Sequence, residues 1–311
     1  MCNNFGALCV KKSNAGRCAR FNYYNKRGYM IKIQILSTGA VHVSPYIAYN
    51  NTNAGRLKVY GFTVPQKDWV WLPVVSYLIH HPKGTILVDA GWDRRISPCG
   101  EYDRQAQSIA LGSRLLAMVN QGWLPEGQAI DEQLSAVGQC SSDIDYVVIT
   151  HLDCDHVSGL SQVSRAKHIM VSDAEMQAAG GGNVTNRVRY RDIFWKDIPL
   201  TLYQWNSDRG PFGRSYDLFG DHSVELINIP GHSAGLVAVK ITNPEGKYVL
   251  LTSDGAYSSR NWKEMVLPGI AENRDDQLKS LKWIREQSLS PNCVASLATH
   301  DPDVQPGYIE F

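Results

Sequence analysis

From position 30 onward the chain breaks into short apolar stretches of two kinds. In Met30-Ile31-Lys32-Ile33-Gln34-Ile35 apolar and polar residues alternate, the period of a strand with one face against a core. Residues 31–36 and 57–64 read as strands, and residues 74–80 and 85–88 flank Pro82-Lys83-Gly84 as the arms of a hairpin. Four other stretches, 146–150, 224–229, 248–251 and 294–298, have the apolar character of buried strands. Helical spacing is seen in 103–119, where Ile109, Leu111, Leu115, Leu116 and Val119 fall on or near one face. It recurs over 131–137 and over 275–287, where Leu278, Leu281 and Ile284 repeat and Pro291 lies beyond the end.

The four buried strands share a feature that the others lack. Each runs at its carboxyl end into a residue that can bind a metal: His151, His232, Asp254 and His300. Four such endings predict that the strand ends converge on one site. The first continues as His151-Leu152-Asp153-Cys154-Asp155-His156, four donors within six residues. A regular strand would turn His156 away from the other three, so the segment is expected to be a turn leaving a strand and entering a helix.

Composition narrows the classes. The 311 residues are 43% hydrophobic and 20% charged, enough for a substantial core. The 31 basic and 30 acidic residues leave a net charge of +1, with no electrostatic pull toward nucleic acid or an anionic membrane. No apolar run approaches the roughly 18 residues that a membrane span needs. Seven cysteines, with Cys99, Cys140, Cys154 and Cys293 scattered, argue against a disulfide framework and for a reducing, cytoplasmic setting. Residues 1–29, with Cys2, Cys9 and Cys18, show neither a secretory pattern nor a zinc spacing; either Met30 is the functional start, or these residues are an extension that is disordered or outside the fold. Residues 180–222 mix Arg187, Arg189 and Arg191 with Phe194, Trp195, Tyr203 and Trp205 and read as a surface insertion that shapes a substrate pocket. His42, His80, His81, His168 and His222 lie outside the donor blocks and read as ordinary surface or packed histidines. Cys154 reads as a buried structural thiol. Asp89 reads either as a partner orienting a ligand histidine or as turn chemistry before Gly91.

The donor segment resembles the His-x-His-x-Asp-His motif of the metallo-β-lactamase superfamily. Pro230-Gly231-His232-Ser233, Ser253-Asp254-Gly255 and Thr299-His300-Asp301 resemble its later blocks, in order. Within that superfamily the chain is most similar to the N-acyl-homoserine lactonase branch. That likeness rests on Ser37-Thr38-Gly39 with Val43-Ser44-Pro45, on the hairpin that ends in Leu87-Val88-Asp89-Ala90-Gly91, and on Asp254-Gly255-Ala256-Tyr257. The resemblance covers residues 31–305 and implies a four-layer αβ/βα sandwich, with the domain running over 30–311. It implies two divalent ions, zinc first and Fe2+ or Mn2+ as alternatives. His151, Asp153 and His232 would hold one, Asp155, His156 and His300 the other, and Asp254 would bridge. The implied reaction is opening of an ester or lactone, foremost an N-acyl-homoserine lactone, by a hydroxide between the metals. Tyr257 would donate to the oxyanion and Asp155 would assist proton transfer. A homodimer is left open.

One position departs from the pattern: the family's second motif histidine is Asp153 here. A third carboxylate lowers the charge of a two-metal site from +2 to +1, which acidifies its water less and favours oxygen-loving ions. That departure keeps a diiron redox protein and a non-catalytic metal-binding protein in view beside the hydrolase. Another esterase or thioesterase of the same fold is a further alternative, although the chain ends about 11 residues past His300, short of a glutathione-binding region.

Overall fold

The computed structural model describes residues 30–181 and 184–311, so the extension read for residues 1–29 lies outside the described residues. In chain order the strands are β1 (Lys32–Val43), β2 (Val70–His81), β3 (Gly84–Val88), β4 (Gln121–Trp123), β5 (Tyr146–Val148), β6 (His168–Ser172), β7 (Thr201–Tyr203), β8 (Ser215–Asp217), β9 (Val224–Asn228), β10 (Val237–Thr242), β11 (Tyr248–Leu251), β12 (Cys293–Leu297) and β13 (Gly307–Glu310). One sheet has the order β13-β1-β2-β3-β5-β6-β7, with β4 added against β1; the other is β12-β11-β10-β9-β8.

The near-continuous apolar strands make sense because both faces of each sheet are covered. Ile86, Val88 and Val148 of the first sheet meet Leu226, Val239, Val249 and Leu251 of the second in a core between the sheets. The alternate residues of the same strands, Leu87, Val147 and Ile169, pack outward on Leu111, Leu116, Leu134 and Leu160. On the far side Ile227, Ala238 and Leu250 pack on Trp262, Leu281 and Ile284. Three cores separate four layers, so the αβ/βα sandwich is the architecture. No helix among the described residues is long and apolar enough to cross a membrane.

The hairpin forms as the pattern predicts, with β2 and β3 antiparallel and His81 opposite Gly84. Helices at Ile130–Ala136 and Arg274–Ser288 match two predicted ones within a residue. Two expectations fail. Residues 57–64 are no strand: Arg56–Val59 is a helical turn, and Gly61, at φ +80°, curls the chain under the Trp69 ring. Its alternation finds no sheet partner, which leaves Leu57 and Phe62 64% and 51% exposed. Residues 103–119 form two helices, Arg104–Ala110 and Arg114–Val119, broken at Gly112 (φ +59°) and restarted by the Ser113 hydroxyl, which accepts from Leu116 N at 3.2 Å. The break buries Leu111 and Leu116 and turns Ile109 to solvent. Residues 180–222 are also more than an insertion. They hold the helix Val184–Arg189, then β7 at the edge of one sheet and β8 at the edge of the other, and so carry the chain between the two halves.

Candidate metal centre

Strand directions bring the donors together. In the second sheet β10 runs antiparallel to both β9 and β11, and β11 is parallel to β12, so β9, β11 and β12 end on the same side. His232, Asp254 and His300 follow those three ends. In the first sheet β3 and β5 are parallel, with Val88 beside Val148, so Asp89 and Thr150 leave together. Val237 N donates to Thr150 O at 3.2 Å and ties the two sheets at this point.

Seven sequence-predicted donors fall into two buried groups, His151, Asp153, His232 and Asp254 in one and Asp155, His156 and His300 in the other. In the first, Asp153 Oδ2 lies 3.4 Å from His151 Nε2 and 2.9 Å from His232 Nε2. Asp254 Oδ2 lies 3.9 and 3.7 Å from the same two nitrogens. In the second, Asp155 Oδ2 is 3.9 Å from His156 Nε2 and 3.5 Å from His300 Nε2, while Asp254 Oδ1 is 3.2 and 3.3 Å from them. Asp254 thus turns one oxygen to each group. Donors held about 2.0–2.2 Å from one tetrahedral centre lie roughly 3.3–3.6 Å apart, close to these spacings. His151 Nε2, His156 Nε2 and Asp254 Oδ1 are also buried without a hydrogen-bond partner. Buried polar atoms are seldom left so. Donors this close that leave those three atoms unpartnered fit cations between them; within the first group His232 Nε2 and Asp153 Oδ2 also meet at hydrogen-bond distance, 2.9 Å.

The surrounding groups set the imidazole tautomers. His300 Nδ1 lies 2.8 Å from the Pro73 carbonyl oxygen, which can only accept, so Nδ1 carries the proton and Nε2 presents its lone pair. His156 Nδ1 does the same to Asp89 Oδ2 at 2.8 Å. Asp89 also accepts from Thr150 N at 2.8 Å and Thr150 Oγ1 at 2.9 Å, and it sits at φ +60°, a conformation uncommon outside glycine. Of its two readings, the orienting one matches this geometry. Asp89→Ala is expected to weaken ion binding about 10- to 100-fold in a chelator-competition titration; unchanged binding would refute the orienting role.

The donor segment is the turn expected of it: Asp153 caps a single helical turn, Cys154–Val157. Cys154 is buried, accepts from Asn120 Nδ2 at 3.4 Å and belongs to neither donor group. His42, His80, His81, His168 and His222 join neither group. Tyr257 is 4% exposed and stacks on His300, with centroids 4.9 Å apart. Burial first, then the carboxylates Asp254, Asp153 and Asp155, push its hydroxyl pKa well up, so it holds its proton.

Two residues at this site were not singled out from sequence. Glu175 is fully buried, which pushes its carboxyl up against the donors that face it. It accepts from Leu152 N at 3.1 Å, Ser233 Oγ at 2.7 Å and Gly235 N at 3.0 Å. Arg189 donates to both oxygens of Asp153, from Nε to Oδ1 at 2.5 Å and from Nη2 to Oδ2 at 2.9 Å, and from Nη1 to the His232 carbonyl at 2.9 Å. Burial opposes a charge on Asp153, but the guanidinium holds its carboxyl well below the usual range. The Ser172-x-x-Glu175 spacing is a helix-start signal, and Ser172 Oγ does accept from Glu175 N at 3.1 Å. It says nothing of where the carboxylate points.

Beside the first group opens a pocket of about 240 Å³ whose lining includes Asp153, Cys154 and Arg189. Its walls are mostly apolar: Ile47, Tyr60, Phe62, Leu116 and Ile270 among them.

A family description, the metallo-beta-lactamase superfamily, matches residues 69–286. The N-acyl homoserine lactonase AttM of Rhizobium radiobacter is 27% identical over 242 residues, 75% of this chain and 83% of that protein. A crystal structure of B. thuringiensis AiiA, with N-decanoyl-L-homoserine bound at the active site, superposes with a TM-score of 0.68 at 21% identity, covering 89% of this chain and 98% of that one. AidC, a dizinc quorum-quenching lactonase, superposes at 0.58 and 15% identity over 90% and 94%.

Proposed function

The chain belongs to the metallo-β-lactamase superfamily, and from that premise we propose that it is a metal-dependent hydrolase that opens the lactone ring of N-acyl homoserine lactones. The observation that carries the substrate is the mostly apolar pocket that has Asp153, a donor of the first group, in its lining. A hydrolytic centre beside an apolar pocket suits a polar ring bearing an acyl chain. The names of AttM, AiiA and AidC support the same reading.

In this reading His151, Asp153, His232 and Asp254 hold one divalent ion, and Asp155, His156, His300 and Asp254 the other. The histidine and carboxylate donors favour zinc, with Fe2+ and Mn2+ as competitors. Bound there, the ions would supply an acidified water and polarise the ester carbonyl. The chain's own groups do the rest. Tyr257 keeps its proton and donates from its hydroxyl to the carbonyl oxygen as charge develops there. Asp155 turns Oδ2 to His156 and His300, which leaves Oδ1 to take the proton that the attacking water gives up and pass it to the departing alkoxide. Phe62 and Leu116 hold the acyl chain and exclude water from it. The cysteine pattern adds a cytoplasmic setting to the proposal.

The test is hydrolysis of N-acyl homoserine lactones from butanoyl to dodecanoyl by zinc-loaded protein, with a chelator-stripped control. Each acyl methylene that leaves water contributes about 0.8 kcal/mol. Catalytic efficiency is therefore expected to rise roughly fourfold per methylene until the pocket is full, and Leu116→Trp should move that plateau to shorter chains. Protein that holds about two ions yet opens none of these lactones would sink the substrate assignment.

A further inference from the structure

Asp153 departs from the family pattern, and the group that faces it carries the opposite charge. The Arg189 guanidinium forks onto both carboxylate oxygens of Asp153 and spans to the backbone of His232, a second residue of the same donor group. The side chains of Arg189 and Asp153 are each 11% exposed, so water does little to weaken the pair. Arginine stays charged at any working pH.

We propose that Arg189 is the positioning partner of Asp153, and that the two together stand where the family pattern has one neutral histidine. The proposal rests on the reading above, that His151, Asp153, His232 and Asp254 hold a cation. The fork takes one edge of the carboxylate and leaves Oδ2 facing His232 Nε2 at 2.9 Å and His151 Nε2 at 3.4 Å. Arg189 does not fill the ion's place. Its ion-pair partners among the described residues are Asp153 and Glu272, the latter at 3.7 Å, and the bridging Asp254 is not one of them. Charge follows the same logic. Three carboxylates against two divalent ions leave one positive charge, and the guanidinium restores the second. The substitution at 153 therefore does not make the centre more anionic, and the weaker acidification of its water argued from Asp153 alone loses its basis.

The pair should behave as a unit. Asp153→His, which restores the family residue, strands a buried guanidinium beside a cation. Breaking a buried pair by removing one partner is costly, whereas replacing both is often tolerated. Asp153→His is therefore expected to melt lower than wild type in the metal-free state and to hold about one zinc ion where wild type holds about two. Its remaining affinity for a first-group ion should be at least tenfold weaker in a chelator-competition titration. Adding Arg189→Gln should bring back about two ions and the wild-type melting temperature. A residue with a merely structural role would give two losses that add, without rescue. Full zinc loading of Asp153→His with Arg189 in place would overturn the proposal. So would a double variant that fails to fold, or that folds with one ion or fewer. Wild-type protein with no zinc would instead overturn the metal reading on which the proposal stands, so the two failures are distinct.

Discussion

Asp254→Ala is expected to remove both ions at once and to lower lactone turnover on the order of a thousandfold or more. The reason is geometric. Asp254 Oδ1 lies 3.2–3.3 Å from the Nε2 atoms of His156 and His300, and Oδ2 lies 3.7–3.9 Å from those of His151 and His232. It is the one carboxylate shared by the two groups. His300→Ala takes a donor from the second group only and should leave the first ion bound. The metal-free variant should not be stabilised either. Burial opposes the charge on Asp254, but His300 and His156 hold its carboxyl well below the usual range, so removing it strands buried imidazoles. Metal-free Asp254→Ala should melt at or below metal-free wild type. Wild type should gain about 4 kcal/mol when zinc stands a thousandfold above its dissociation constant, and the variant should gain none. Elemental analysis and a melting series with zinc read both outcomes. Asp254→Ala protein that retains two ions would remove the bridging role.

Why the donors were legible in sequence, and their supports were not, has a physical basis. A strand buried on both faces is largely apolar, so 146–150, 224–229 and 248–251 stand out, and a histidine or aspartate within three residues of each end is conspicuous. Local turns were less legible. Residues 57–64 alternate like a strand, but alternation specifies only a strand's face, and a strand needs a neighbour with open hydrogen bonds. Gly61 turns the chain away first, and the freed Phe62 goes to the pocket. Arg189 and Glu175 were invisible for another reason. A charged residue is on the surface by default, and only a partner can bury it. Those partners lie 36 residues from Arg189, and 23 and 58 residues from Glu175, distances over which a single sequence carries no pairing signal. Arg187, Arg189 and Arg191 look alike in the chain; the structure aims one of them at Asp153.

Glu175→Ala should destabilise the protein by at least about 3 kcal/mol and loosen the first donor group more than the second. Among the described residues its carboxylate is the one acceptor for three buried donors, Leu152 N, Ser233 Oγ and Gly235 N. Leaving a buried donor unsatisfied costs about 1–3 kcal/mol each. At roughly 2–4 °C per kcal/mol for a chain of this size, melting should fall about 6–12 °C. The location of the three donors gives the second half of the prediction. Leu152 lies between His151 and Asp153, and Ser233 follows His232, so Glu175 staples together the two loops that carry three of the four first-group donors. Neither Asp155, His156 nor His300 is tied to it. Zinc titration of Glu175→Ala should show one of two binding steps shifted by tenfold or more and the other nearly unmoved. Glu175→Gln separates shape from charge. It keeps the side chain's size and one accepting oxygen, but its amide group meets another donor, so it should fall between wild type and alanine in both measurements. Equal weakening of both ions, or a melting temperature within 2 °C of wild type by calorimetry, would show that the two loops hold their places without the staple; about 2 °C corresponds to less than one kcal/mol at this chain length.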